Sequence, residues 1–499
     1  MRLAILAVLV IGCGGHASSP AASSSGSGSG AGVPGFPATR WVPARPTYVF
    51  ASATVSDAQR SLRDAIDVLG IATGIDLRDA TRVLEGVLGV DPLHPDPLAA
   101  IGVDPHGSWA LFSEALSPTI VVHLTAPGQL TAFLDRQRKR GLVTQSTIVD
   151  TTEVVSAELF GRVTLSWAIA GDWLWLHLAP ASAHEDAASW FAASRGTHGD
   201  GWIGNWRWAQ HAAGAAAGLI GFLDLHGPVA GAIARLPGAV ACANLIEPVG
   251  RVAVAVDGDE HHVGARIAID VGSTTAIRPL ILPAPTGWNA AAAPAAIAVQ
   301  WNLDLSAVRS WLAPCLAAVG GPLALPDEPS VRAGRGMLLG FDPDARSGAG
   351  AVALDLTSSA FLERQLDRIP LRRALERSRT FGAYQGSSIA IPFSVTIEYV
   401  LQQKLALAAL GEGVLARLVA PGVASPGPGP IFALDVAPPA MSAEAWATVL
   451  HVLAQQSVAG SPGPATRHAV ERLMRWRDAH LAVTAEPTEL VLTASGNRR

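Results

Sequence analysis

The sequence predicts an α+β protein: two tandem copies of a mainly antiparallel sheet with helices packed on one face. Three observations lead there. The stretch "HLTAPGQLTAFLDRQ" returns far downstream as "DLTSSAFLERQ", in the same local setting. Apolar residues alternate at period two on either side of these stretches, which is the mark of half-buried strands. Each half of the chain also closes on a run of strand residues broken by a polar turn.

In chain order, "TYVFASATVSDAQRSLRDAIDVLG" aligns with "AIAVQWNLDLSAVRSWLAPCLAAVG", which pairs Arg60 and Ser61 with Arg309 and Ser310. Each reads as a strand followed by an amphipathic helix, and each follows a tryptophan and a proline (Trp41 and Pro46; Trp288 and Pro294). A strand pair comes next, "GSWALFS" with "TIVVHLT" in the first half and "GRGMLLGFD" with "GAVALDLT" in the second. The following helix gathers Leu130, Phe133 and Leu134 on one face, and its counterpart gathers Leu362, Leu366 and Ile369. Then "IGFLDLHGPVAGAIARL" matches "IFALDVAPPAMSAEAWATVL", again strand then helix. The closing hairpins turn near Asp257–Gly258 and near Glu486–Pro487. The expected organisation is a first α+β repeat over 41–272, a Pro-rich linker over 273–287 and a second repeat over 288–499.

At the N-terminus, Arg2 precedes an apolar run from Leu3 to Ile11, too short to span a bilayer as a helix. The run ends in "VIGC", which resembles the lipobox of bacterial lipoproteins. That resemblance implies a signal peptide over 1–12 and acylation of Cys13; an ordinary secretory signal containing a cysteine is the alternative. Several acyl chains on one cysteine anchor a protein stably. In the lipoprotein pattern an Asp after the cysteine favours inner-membrane retention, and Gly14 stands there, so the outer membrane is the expected address. Residues 13–40 are rich in Gly and Ser and read as a flexible tether that buries too little apolar surface to order itself.

The paired loops in "LGVDPLHPDPLAAIGVDPHGS" and the strand in "AGDWLWLHLAP" resemble a broad family of exported bacterial proteins of uncharacterised function. The resemblance covers most of the first repeat. In the second the paired loops are missing and "SSIAIPFSVTIEYVL" replaces the DWLWL region. The shared motifs are structural, so the resemblance transfers no catalytic residues.

Hydrophobic residues make up 49% of the chain and charged ones 15%, ample for two packed domains. A net charge of −5 gives no reason to expect a nucleic-acid partner. Lysine occurs only at Lys139 and Lys404, the latter in what reads as an amphipathic helix, and no GK[ST] phosphate loop is present. "GRGMLLG" is glycine-rich, but the repeat makes it a strand. Cys242 and Cys315 could form a disulfide or stay as buried thiols. No nucleophile elbow, metal-type Cys/His spacing or dinucleotide fingerprint occurs, so neither a catalytic set nor a cofactor or metal is expected.

The polar clusters have bland explanations. His261 and His262, beside Asp257, Asp259 and Glu260, read as a solvated turn, because adjacent strand residues point to opposite faces. "HED" at 184–186 reads as the polar start of a helix. The loop around His94 follows from its prolines, and the basic run at 136–140 suits a helix C-terminus, with anionic lipid as the functional alternative. Tryptophan is the most suggestive residue type, with fourteen against three tyrosines. Trp206 and Trp208 would share a face if the segment is a strand; with Trp202 they could touch a ligand, or supply bulk to an Ala-rich core. The expected function is that of a non-catalytic envelope lipoprotein, held at the membrane through Cys13 and binding another envelope protein. The alternative is a carrier of a lipid or other apolar ligand in a groove between sheet and helices, and an unrecognised enzyme comes third.

Overall fold

Alternating apolar residues form the strands, and every strand pairing whose register is described is antiparallel. The computed structural model describes residues 33–499 except 74–80, 83–84, 87–88, 114–115, 140–142, 160, 184, 197–199, 215–217, 228–230, 232–248, 283–293, 305–306, 309, 311–312, 314–330, 370, 392–394, 420–429 and 456–462. Cys13, Cys242 and Cys315 lie outside the described residues. The chain is a mixed α+β protein that divides into two units: residues up to 236 with 249–259 and 263–270, and residues 260–262 with 271–499.

The first unit runs β1 (Tyr48–Ser52), α1 (Val55–Thr73), α2 (Pro95–Ala100), β2 (Trp109–Ser113), β3 (Thr119–His123), α3 (Pro127–Lys139), β4 (Gln145–Val149), β5 (Thr152–Leu159), β6 (Val163–Ala170), β7 (Trp173–Pro180), α4 (Ala187–Gly196), α5 (Ile203–Ala213), β8 (Leu219–Asp224), β9 (Arg251–Gly258) and β10 (His262–Asp270). Its strands pair in the order β4-β5-β6-β7-β3-β2-β1-β8-β9-β10. Helix α2 opens on a proline, whose missing N–H costs nothing at a position that has no intrahelical partner. Leu130 of α3 is buried with Val122, Leu124 and Trp167, and Phe133 and Leu134 pack beside it.

The second unit runs β11 (Ile297–Trp301), β12 (Val331–Asp342), β13 (Ser347–Leu356), α6 (Ala360–Asp367), α7 (Arg372–Leu375), β14 (Glu376–Phe381), β15 (Tyr384–Ala390), β16 (Thr396–Leu401), β17 (Leu405–Leu410), α8 (Val414–Leu418), β18 (Phe432–Val436), α9 (Ala443–Gln455), α10 (Pro464–Leu473), β19 (Trp476–Ala485) and β20 (Glu489–Arg498). Its strands pair in the order β14-β15-β16-β17-β13-β12-β11-β18-β19-β20. Position by position this is the order of the first unit. Trp446 of α9 is buried among Met441, Val470 and Leu473, and its Nε1 donates to the Pro438 carbonyl at 2.9 Å.

Four expectations change. Lys404 lies in the turn between β16 and β17 rather than on a helix, because Leu405–Leu410 pairs with strands on both sides. Trp206 and Trp208 sit on helix α5, so they point in different directions. The tether does not extend to residue 40: Pro37–Trp41 is a 3-10 turn with Ala38 and Thr39 buried. Part of the expected linker is also built in, since Thr274 is fully buried and donates to the carbonyls of Glu486 and Pro487 at 2.8 and 3.0 Å.

Two glycines explain close approaches. Gly221 lies opposite Phe50 across β1 and β8, and a Cβ there would meet the ring at 2.1 Å. Gly334, within "GRGMLLG", lies opposite Trp301, and a Cβ would meet the indole at 2.4 Å. The glycine makes a flat bed for an aromatic ring, which accounts for it without a phosphate.

The first strand of each order is an edge. Among the described residues β4 pairs with β5 alone, and Gln145–Ile148 is exposed and uncharged, with Ile148 at 74%. Strand β14, in the same position of the second order, carries Glu376, Arg377 and Arg379.

Candidate functional site

The first unit holds an open cleft of about 230 Å³, lined by Phe112, Ser117, Thr119, His177, Glu185 and Trp190 among others. The register places two of these side by side, because Thr119 of β3 is the direct partner of His177 of β7. The chain then turns into α4, where Asp186 accepts from the Ser189 amide at 2.9 Å and from its hydroxyl at 2.6 Å. The Ser189 hydroxyl and then its amide hold the Asp186 carboxyl below the usual range, as expected of a helix N-cap. The cap fixes the start of α4, and with it the direction of Trp190.

Trp190 Nε1 can only donate, and it donates to Thr119 Oγ1 at 3.1 Å. The Thr119 hydroxyl also bonds with His177 Nδ1, 3.0 Å away. A carboxylate only accepts, so His177 Nε2 donates to Glu185 Oε2 at 3.2 Å. The imidazole stacks on the Trp190 indole at 4.8 Å and 20°, and His177 is only 5% exposed. The imidazole thus holds one oxygen of Glu185 at the cleft. The other Glu185 oxygen and the Ser117 and Ser194 hydroxyls have no hydrogen-bond partner among the described residues. Among the described residues no arginine or lysine lines the cleft.

This site was not singled out in the sequence, although His177 stands within "DWLWLHLAP" and Glu185 within "HED". A histidine at an inward position of an otherwise apolar strand was the available signal. The partners come from β3 and α4, and only the register brings them together.

The tryptophans named in the sequence form a different place. Trp206 is fully buried, edge-on to Phe36 at 5.3 Å and to Trp202 at 5.9 Å. Trp202 is 4% exposed and stacks on Phe222. Trp208 is half-buried under the Arg251 guanidinium at 4.3 Å; Arg251 also donates to Asp270 and Asn205, each at 2.9 Å. Trp202 and Trp206 thus serve as core bulk, and Trp208 packs under Arg251. His262 bonds with Asn497 at 3.3 Å, and among the described residues no three His, Cys, Asp or Glu side chains gather as a metal site.

The second unit has its own polar cluster. The Tyr399 hydroxyl donates to Glu376, while Arg372 donates to Glu376 at 3.2 Å, to Tyr399 at 3.1 Å and to Asp367 at 2.7 Å. The Tyr399 hydroxyl holds the Glu376 carboxyl below the usual range, helped by Arg372. Burial, then the Glu376 bond, pushes the Tyr399 phenol up. Every member has a partner, so the cluster pins α7 to the sheet. Glu398, 5% exposed, likewise accepts from the Gly413 and Leu415 amides at 2.7 and 2.9 Å and caps α8.

No protein-family model matches the chain, and no curated protein matches it. Solved structures of TP0453 are similar in part. Crystal form III is 9% identical with a TM-score of 0.28, covering 49% of this chain and 87% of its own. Crystal form IV is 9% identical with a TM-score of 0.28, covering 46% and 78%. A likeness at that level says nothing about activity.

Proposed function

We propose that the protein is a non-catalytic envelope lipoprotein whose body is a tandem duplication, and that it works by binding another envelope component. The observation that supports this reading is the strand order, which among the described residues is the same in the two units. Copies of one ancestral unit keep their connectivity long after their sequences diverge, and repeated α+β sheets with helices on one face make a scaffold. The lipobox resemblance supplies the anchor at Cys13, and the Gly/Ser-rich segment lets the body stand off the outer membrane. Among the described residues no helix is long and apolar enough to cross a membrane.

Carriage of an apolar ligand is the weaker reading. Trp202 and Trp206 are packed in the core, and the cleft at His177 is small and rich in polar groups. The anchor is tested by fractionating cells that express the wild type and Cys13→Ser. The wild type should sediment with membranes and the variant should be soluble; a variant that still sediments sinks the anchor. Crosslinking in intact cells tests the partner, and discrete adducts are the expected result. Their absence from a full scan of surface positions would sink the binding role.

A further inference from the structure

The His177 cleft combines four properties that together select a ligand class. Its acidic group is the Glu185 carboxylate, held through one oxygen by His177, and among the described residues no arginine or lysine lines the cleft. Three oxygens face it without partners among the described residues: one of Glu185, and the hydroxyls of Ser117 and Ser194. Phe112 and Trp190 supply apolar wall. The volume, about 230 Å³, suits a molecule or head group of a few heavy atoms.

We propose that this cleft binds the ammonium group of a small primary amine. An ammonium carries three N–H donors and no acceptor, which matches one carboxylate oxygen and two hydroxyls. A carboxylate, itself an ammonium acceptor, would meet the like charge of Glu185. A quaternary ammonium has the charge but no N–H to give. The Thr119–His177 pair serves to orient Glu185: the Nε2–H holds one carboxylate oxygen and leaves the other aimed at the ligand. The site goes beyond the anchored-module reading and does not depend on acylation of Cys13.

The test is calorimetric titration of the full-length protein in detergent with ethanolamine, with choline and with propionate. Ethanolamine should bind, choline should bind at least about tenfold more weakly, and propionate should give no heat. Glu185→Gln should weaken ethanolamine about 10- to 100-fold, the range expected for losing a charged hydrogen bond. Ser117→Ala should weaken it about three- to tenfold and carries the test if the Glu185 variant misfolds. Exposed Glu153→Gln, elsewhere in the unit, should leave binding unchanged. Bicelles of phosphatidylethanolamine form the second arm. Competition from them with free ethanolamine would identify a lipid head group as the source, and none would identify a soluble amine. Absence of binding by any primary amine in either arm overturns the proposal, as does equal binding of choline or an unchanged affinity in both cleft variants.

Discussion

Glu376 is ionised against a phenol donor and a guanidinium, and this makes a pH prediction possible. Its folded carboxyl is held below the usual value, so its contribution is complete above the unfolded value of about 4.3 and fades as pH falls through the folded one. Glu376→Gln should therefore cost about 1 kcal/mol near neutrality, a modest figure because the pair is partly solvated. The variant should also lose less of its stability than the wild type between pH 6 and pH 3, roughly the window set by those carboxyl values. Urea midpoints followed across that range check both points, and equal acid sensitivity in the two proteins would refute them. Trp206 makes a simpler prediction: with its ring fully buried, Trp206→Ala should cost about 3–5 kcal/mol in thermal or urea unfolding. A loss under 1 kcal/mol would mean the ring is not core. The tryptophans themselves were legible as core bulk, because an Ala-rich interior needs volume. His177 was not, since its meaning depends on Thr119 and Glu185, which one strand read alone does not bring near.

At the scale of elements, the two edge strands differ in a way that matters for solubility. Edges are normally guarded by charge or proline, as Arg377 and Arg379 guard β14, while β4 presents Gln145–Val149 without either. Ile148→Lys should leave the melting temperature within about 2 °C, as surface substitutions usually do. It should also raise the concentration at which the protein first scatters light; unchanged scattering would exonerate the edge. The glycine beds are equally specific. Gly334→Ala pushes a methyl into the Trp301 ring and should cost about 1–3 kcal/mol, read as a lowered unfolding midpoint. Sequence misjudged elements where a pattern served two periods. The segment around Trp206 is helical, yet its Trp-x-Trp spacing also reads as a strand. The run at Lys404 is a hairpin, yet its leucines and alanines suit a helix. Alanine-rich segments carry little shape, so partners across the sheet decide between the alternatives.

Across the whole molecule, the α+β class and the antiparallel hairpins were legible because β1, β2, β3, β8, β9 and their later counterparts keep the alternation that burial on one face imposes. The meander from β4 to β7 was less so. Its first strand is polar, and strand position places Leu405–Leu410 in the later order where Trp173–Pro180 stands in the earlier one, with little sequence in common. The order also has a consequence in time. Strand β1 lies between β2 and β8, and β8 is encoded far downstream at Leu219–Asp224. A chain leaving the ribosome or a translocation pore from its N-terminus must therefore wait, with one side of Tyr48–Ser52 open, until nearly the whole unit has emerged. Strand β11 waits in the same way for Phe432–Val436. Each half is thus committed late, and a chain interrupted at Ala213 should be a substrate for chaperones and proteases rather than a smaller folded protein.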